Sequence, residues 1–203
     1  MKQRLTVTNI EDQYQISEQS QIERPNFVII SGCSGGGKST LLSELAALGY
    51  SYVAEPGRQV VKEQSAIGGD ALPWKNLDKF LELSLSRSLY QFNSISEKKN
   101  LVFFDRGIID SVQPSKPQGI HFTNAAKKFR HNNIVFMLPP WKEIYRIDRE
   151  RQHSFNEAKR EYEELLIKYQ QFNYEIIIVP HGKIRDRANF ILSELAKRNV
   201  DLN

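Results

Sequence analysis

Five short, nearly continuous apolar runs divide the chain from residue 26 onward, and longer stretches with helical spacing separate them. The runs are FVIIS (27–31), YSYVA (50–54), LVFFD (101–105), NIVFML (133–138) and EIIIVP (175–180). Short runs without polar alternation are typical of parallel strands that are buried on both faces. Elsewhere apolar residues recur every three or four positions, which predicts helices. The clearest of these helical stretches are 77–92, 162–172 and 184–195.

Strands that alternate with helices indicate successive βαβ units, because parallel strands need a crossover connection. The pattern therefore predicts an α/β fold, a three-layer sandwich in which helices cover both faces of a five-stranded parallel sheet. Residues 26–203 form this one domain in our interpretation. Residues 1–25 are polar and predict an N-terminal extension.

Composition narrows the possible classes of function. The chain has 203 residues, one cysteine and a formal net charge of +4, so it can form no intrachain disulfide. The mild positive charge suits anionic ligands and gives no case for nucleic acid without a clustered patch. No apolar run reaches the 18–20 residues or so that span a bilayer. With no secretory h-region at the N-terminus, we expect a cytoplasmic protein.

The first apolar run leads into a glycine-rich segment that matches the phosphate-binding loop G-x-x-x-x-G-K-[ST] without deviation. Its glycines allow successive backbone N–H groups to surround a phosphate, and the following helix directs its positive end at the anion. Lys38 is expected to reach the β- and γ-phosphate oxygens, and the Ser39 hydroxyl to ligate Mg²⁺. The nucleotide-binding residues are therefore Gly32, Cys33, Ser34, Gly35, Gly36, Gly37, Lys38, Ser39 and Thr40.

Acidic and basic residues follow the second and third strands. Asp105 ends the third strand, where a carboxylate can hold Mg²⁺ or its water. Arg106 comes next, so the chain lacks the water-activating glutamate that ATP-driven machines usually place there. Glu55 and Arg58 follow the second strand, at the edge where parallel sheets bind ligands. The structural alternatives are a turn residue at Glu55 and a helix N-cap at Asp105.

The fourth strand leads into a basic segment, WKEIYRIDRER at 141–151. Small-molecule kinases place a lid here whose arginines close over the transferring phosphoryl group. Arg149 is our first candidate for this catalytic role. Arg146 and Arg151 remain alternatives for contacts with the nucleotide, because on one helix they cannot all face the phosphates. The structural alternative is an exposed helix with internal salt bridges.

The Asp105-Arg106 and Glu55-Pro56 pairs resemble those of thymidylate and deoxynucleoside kinases. That resemblance implies the strand order 2-3-1-4-5, an Asp-Arg pair that handles Mg²⁺, phosphates or acceptor, and a glutamate facing the acceptor. Segments over residues 26–195 also resemble a P-loop family labelled AAA domain or predicted ATPase, related to the nicotinamide riboside kinase-type domain. This family implies ATP and Mg²⁺ as ligands. It names no acceptor.

The first hypothesis for function is a Mg²⁺-dependent phosphotransferase that acts on a nucleoside, a nucleotide or another small metabolite. Its catalytic residues would be Lys38, Glu55, Asp105, Arg106 and Arg149, with Ser39 and Asp105 at the metal. The acceptor would contact Glu55, Arg58, Arg106 and Asp110, although Asp110 could equally be an ordinary surface carboxylate. The alternatives are a nucleotide-dependent regulator that acts through a protein partner and a slow ATPase. The choice between ATP and GTP stays open, with residues 179–183 and the lid expected to bracket the base.

Overall fold

The structure is a computed structural model that describes residues 20–95, 100–113, 119–145 and 154–202. The strands of the described residues are β1 (Ile22–Arg24), β2 (Phe27–Gly32), β3 (Ser51–Val53), β4 (Val102–Asp105), β5 (Phe129–His131), β6 (Ile134–Leu138) and β7 (Glu175–Ile178). The main sheet has five parallel strands in the order β3-β4-β2-β6-β7. This order corresponds to 2-3-1-4-5 among the five predicted strands and confirms the predicted α/β fold.

Helices cover both faces of this sheet. Side chains of β2 alternate between two cores: Phe27 and Ile29 pack on one face, Val28 and Ile30 on the other. All four are fully buried, which explains the unbroken apolar run of this strand. The described helices are α1 (Lys38–Ala47), α2 (Pro56–Ala66), α3 (Leu77–Ser94), α4 (Ile120–Lys128), α5 (Phe155–Gln171) and α6 (Ile184–Lys197), with a short 3-10 helix at Ile108–Ser111.

A second, two-stranded sheet was not expected from the sequence. Strand β1 pairs in parallel with β5, and Ile22 lies opposite Phe129 with both side chains buried. Residues 22–24 thus form a strand inside the segment that the sequence assigned to the polar extension. A three-residue strand with one buried side chain has too little periodicity to be recognised from its sequence.

The carboxyl ends of the strands meet at one edge of the main sheet. Gly32 ends β2 with φ +133°, and a Cβ atom there would lie 2.3 Å from the carbonyl oxygen of Leu138 on β6. Glycine is therefore required for the loop to leave β2 so close to its neighbour. On the other side, the Arg106 N–H donates to the carbonyl of Ile30. These two contacts place the segments after β2, β4 and β6 around one crevice.

Across the described ranges, no helix combines the length and apolar character that a bilayer crossing would need.

Candidate functional site

The phosphate-binding loop adopts the backbone conformation that its glycines predict. Gly35 and Gly37 have φ values of 80° and 85°, and α1 begins directly after Gly37. The Lys38 ammonium donates to the carbonyls of Gly32 and Cys33, at 2.9 Å each, and the side chain is 94% buried. The lysine therefore spans its own loop, where it can meet an anion bound to the loop amides.

A cavity of about 320 Å³ opens over this loop, and we call it the loop cavity. Its floor consists of loop residues that include Lys38 and Ser39. Its outer wall comes from the segment after β6 and from the start of α6. This outer wall comprises Trp141, Ile144, Gly182, Ile184 and Arg187.

A second cavity of about 370 Å³ lies beside the first between α2, α3 and α5, and we call it the helix cavity. One wall is apolar and comes largely from α2 and α3. The opposite wall is polar and comes from α5 and the segment after β4. The two cavities share Ser34, Glu55, Arg58 and Arg106, so a molecule in one would meet a molecule in the other at these side chains.

Arg106 lies at the centre of this shared wall and makes three ion pairs. Its Nε donates to Glu55 at 3.0 Å, its Nη1 to Asp110 at 3.3 Å and its Nη2 to Glu161 at 2.7 Å. The backbone has φ 70°, a left-handed conformation that is uncommon for a residue with a side chain. Burial would lower the pKa of Arg106, but the surrounding carboxylates raise it well above its usual value. The guanidinium is therefore a fixed positive charge.

Asp110 belongs to the interior of the protein. Its side chain is 6% exposed, so the surface-carboxylate alternative does not describe it. One carboxylate oxygen accepts from Ser31 and Arg106, and the other from the Gly107 N–H and the Tyr169 hydroxyl. Because both oxygens have two donors, Asp110 fixes the segment after β4 against α5 and β2.

Glu161 on α5 is a site residue that sequence reasoning missed. Its Oε2 accepts from the Ser34 N–H of the phosphate-binding loop at 3.0 Å, while its Oε1 binds Arg106. Burial alone would raise the pKa of Glu161, but Arg106, Lys38 and the Ser34 amide together lower it. An ionised carboxylate thus uses a loop amide of the kind that binds phosphate. Glu161 resembles any other polar residue of an amphipathic helix, so the sequence carries no signal for it.

Replacing Glu161 with glutamine should tighten nucleotide binding by about 3- to 30-fold, since the carboxylate competes with phosphate for the Ser34 amide and for Arg106. Isothermal titration with an ATP analogue checks this. Glu163→Gln, which removes the same charge from an exposed position of α5, is the matched control and should leave affinity nearly unchanged. Weaker binding by the Glu161 variant would show that this carboxylate supports the loop instead of competing for it.

Asp105 ends β4 next to the loop, opposite Ile30 in the register of β2. Its side chain is 5% exposed, and its Oδ1 has no hydrogen-bond partner. Burial raises the pKa of Asp105 to about 6, against the opposing effect of Lys38. A buried carboxylate oxygen without a donor is suited to a hard cation, so the residues present fit Mg²⁺.

Asp105→Asn should stabilise the nucleotide-free protein by about 2 kcal/mol at pH 7. The raised pKa means that the folded state binds a proton more tightly than the unfolded state, so ionised Asp105 costs stability above pH 6. The cost shrinks as the pH falls through 6 and vanishes below about 4, where both states are protonated. Denaturant unfolding of both proteins between pH 4 and 7.5 measures this difference, and a constant difference over that range would contradict it.

Arg187 and Trp141 contact each other in the outer wall of the loop cavity. Arg187 is 98% buried, donates to the Gly36 carbonyl at 3.3 Å and lies 5.4 Å from the centroid of the Trp141 ring. Trp141 stacks on His181 with 4.6 Å between ring centroids. The segment 179–183, which the sequence predicts to bracket the base together with the lid, brings Gly182 to the loop cavity and His181 to Trp141. Arg187 lies in no motif by which the sequence could have marked it.

The structure brings most of the sequence-predicted site residues to one crevice. Ser34, Gly35, Gly37, Lys38, Ser39 and Thr40 line the loop cavity together with Glu55, Arg58 and Arg106. Cys33 is 99% buried, and burial raises the pKa of its thiol to about 11, so the side chain packs beneath the loop. Of the lid, Trp141 and Ile144 reach the loop cavity. The predictions for Arg146, Arg149 and Arg151 lie outside the described residues.

A protein-family model described as an AAA domain matches residues 27–187, which is most of the chain. The chain belongs to this AAA domain family. The match begins with β2 and ends at Arg187, and so includes both cavities of the AAA domain. A search of curated protein sequences finds no significant match.

Two solved structures resemble the AAA domain over nearly their whole length. Shikimate kinase from Acinetobacter baumannii in complex with shikimate has a TM-score of 0.51 and 20% identity, covering 86% of this chain and 95% of that one. Deoxyadenosine kinase from M. mycoides, with bound products, has a TM-score of 0.54 and 18% identity, covering 85% and 99%. At these identities the likeness concerns the fold, which is that of P-loop kinases.

Proposed function

We propose that this protein is a phosphotransferase that moves the terminal phosphoryl group of ATP to the hydroxyl group of a small molecule. The observation that carries the proposal is the pair of adjoining cavities with a shared wall. ATP would occupy the loop cavity, the acceptor would occupy the helix cavity, and the reacting atoms would meet beside Glu55, Arg58 and Arg106. Holding two substrates in this way turns a bimolecular reaction into an effectively unimolecular one.

The bond changes follow from this arrangement. The acceptor oxygen forms a bond to the γ-phosphorus, the bond from that phosphorus to the β–γ bridging oxygen breaks, and ADP leaves. The hydroxyl proton passes to Glu55, whose Oε2 is 3.8 Å from Arg58 and therefore outside a close hydrogen bond. Lys38 and Arg106 stabilise charge on the transferred group. Arg149 is proposed to join them from the lid.

Ser39 and Asp105 would hold the Mg²⁺ ion together with phosphate oxygens and water. Bound there, the ion would neutralise phosphate charge and orient the phosphates for in-line transfer. The fit rests on the buried, unpartnered Oδ1 of Asp105.

Mg²⁺ affinity tests this role. In the presence of an ATP analogue, Asp105→Asn should lower the affinity for Mg²⁺. The effect should exceed that of Asp186→Asn, which removes an exposed carboxylate from α6.

Acceptor-dependent release of ADP tests the proposed function. The purified protein with ATP and Mg²⁺ should release ADP slowly alone and at least about tenfold faster with one class of hydroxyl compound from a broad metabolite panel. ADP release that no acceptor accelerates would contradict the proposal. Repeating the same assay with GTP in place of ATP, and comparing the rates of nucleoside diphosphate release, shows which base the outer wall prefers.

The contact between Glu161 and Ser34 favours one second candidate, a nucleotide-dependent regulator. Phosphate entering the loop would displace the carboxylate and free α5 to change its position, which a protein partner could recognise. Such a regulator would bind ATP tightly with turnover near background. It would also bind its partner only when loaded with nucleotide, and this separates it from the phosphotransferase.

A further inference from the structure

The charge of the described residues differs sharply between the two cavities. Four cations face the loop cavity, Lys38, Arg58, Arg106 and Arg187, with Glu55 as its one described carboxylate. The helix cavity has the opposite balance, with five carboxylates against three cations. Its carboxylates are Glu55, Asp110, Glu157, Glu161 and Glu164, and its cations are Arg58, Arg106 and Lys168.

Two of the three cations of the helix cavity, Arg106 and Lys168, are also held by partners within the protein. Each nitrogen of the Arg106 guanidinium already serves a different carboxylate. Lys168 is 93% buried and donates to the Asp110 carbonyl at 3.4 Å, and burial lowers its pKa. A phosphate on the acceptor would compete with these carboxylates for the same positive charges, which is costly in a partly desolvated site.

The apolar wall of the helix cavity lies opposite these carboxylates and also carries one polar group. The apolar side chains come from α2, α3 and the loop between them, namely Val61, Pro73, Leu77, Phe80 and Leu81. Ser84, one turn beyond Phe80, also lines this cavity. Its side chain is 95% buried, and its hydroxyl has no hydrogen-bond partner. A buried hydroxyl without a partner is rare, and one that lines a cavity is placed to bind a ligand atom.

We infer that the helix cavity selects an unphosphorylated acceptor with an apolar ring face, whose polar edge hydrogen-bonds to Ser84 and whose hydroxyl group faces Glu55. The inference rests on the proposed function and narrows its acceptor class. The carboxylates exclude phosphorylated analogues by repulsion, and the apolar wall binds the ring. The positive loop cavity beside it keeps the polyanionic nucleotide on its own side.

Paired ligands test the charge selection directly. Nucleosides and their 5′-monophosphates serve as probes, and each is titrated into the protein saturated with Mg²⁺ and a non-hydrolysable ATP analogue. The nucleoside should bind at least about tenfold more tightly than its monophosphate. A monophosphate that binds more tightly than its parent would overturn the inference, as would the failure of every nucleoside to bind at millimolar concentration.

Turnover separates this inference from the proposed function. Phosphoryl transfer to a monophosphate would overturn the acceptor class and still support a phosphotransferase. ADP release that no compound accelerates would contradict the phosphotransferase, while the binding titrations would still report on the acceptor class.

Ser84→Ala tests the polar edge. It should raise the KM of the best acceptor by about 5- to 30-fold, with the KM for ATP unchanged, because the ligand would lose its hydrogen-bond partner. Ser88→Ala is the matched control, since Ser88 is equally buried on α3 but donates to the Ser84 carbonyl instead of lining the cavity. Equal acceptor KM values in the two variants would show that Ser84 does not hydrogen-bond to the acceptor.

Discussion

Replacing Lys38 with alanine should lower acceptor-dependent ADP release by about 10²- to 10³-fold. The ammonium lies over the phosphate-binding loop, held by the Gly32 and Cys33 carbonyls at 2.9 Å. In that place it can follow the γ-phosphoryl group as negative charge moves toward the leaving oxygen. A fixed positive charge at a developing anion is worth more in a partly buried site than in water, so its loss falls mainly on turnover.

Steady-state ADP release at saturating ATP measures this loss. Lys197→Ala is the control, because Lys197 lies on the exposed face of α6 and pairs with Glu194 away from both cavities. Its turnover should stay within about twofold of the unmodified protein. A Lys38 variant that folds, binds ATP and keeps a tenth or more of the normal rate would contradict the role assigned to the ammonium.

The strands of the main sheet and its phosphate-binding loop were predictable because both depend on local patterns, whereas the order of those strands came from the resemblance to thymidylate and deoxynucleoside kinases. An unbroken apolar run such as 27–31 indicates a strand that is buried on both faces, and the glycine pattern from Gly32 to Gly37 requires the backbone that the loop adopts. Strand β1 was not predictable, since its three residues are held by pairing with β5, more than a hundred positions away. Pairing over that distance leaves no periodic trace in the sequence.

The residues of the candidate site also divide into those that the sequence could identify and those that only the tertiary structure reveals. Glu55, Asp105 and Arg106 could be named because they follow strands, and the carboxyl ends of parallel strands converge. Glu161, Ser84 and Arg187 lie within helices, where their spacing is that of any amphipathic face. Only the packing of those helices brings them to the two cavities. The carboxylates that surround Arg106 are therefore a property of the tertiary structure.

Replacing Arg106 with leucine should lower the free energy of unfolding by about 3 kcal/mol at pH 7. The polar wall of the helix cavity would then hold three carboxylates, Glu55, Asp110 and Glu161, close together without their shared cation. These carboxylates would repel one another. The value lies at the low end for a broken buried pair because about a third of the Glu161 side chain is exposed and partly screened by water. Denaturant unfolding measures the loss.

The pH dependence and a matched pair distinguish this cause from simple loss of packing. Without Arg106, burial should raise the pKa of Glu161 above its unfolded value, so the deficit should shrink as the pH falls from 7 toward 4 and Glu161 becomes neutral. Arg87→Leu also removes an arginine–carboxylate contact, the bidentate pair with Glu63, but on an exposed face between α2 and α3, and should cost much less. A deficit that does not change with pH, or equal losses in the two variants, would mean that Arg106 acts as a packing residue and not as the counter-ion of this wall.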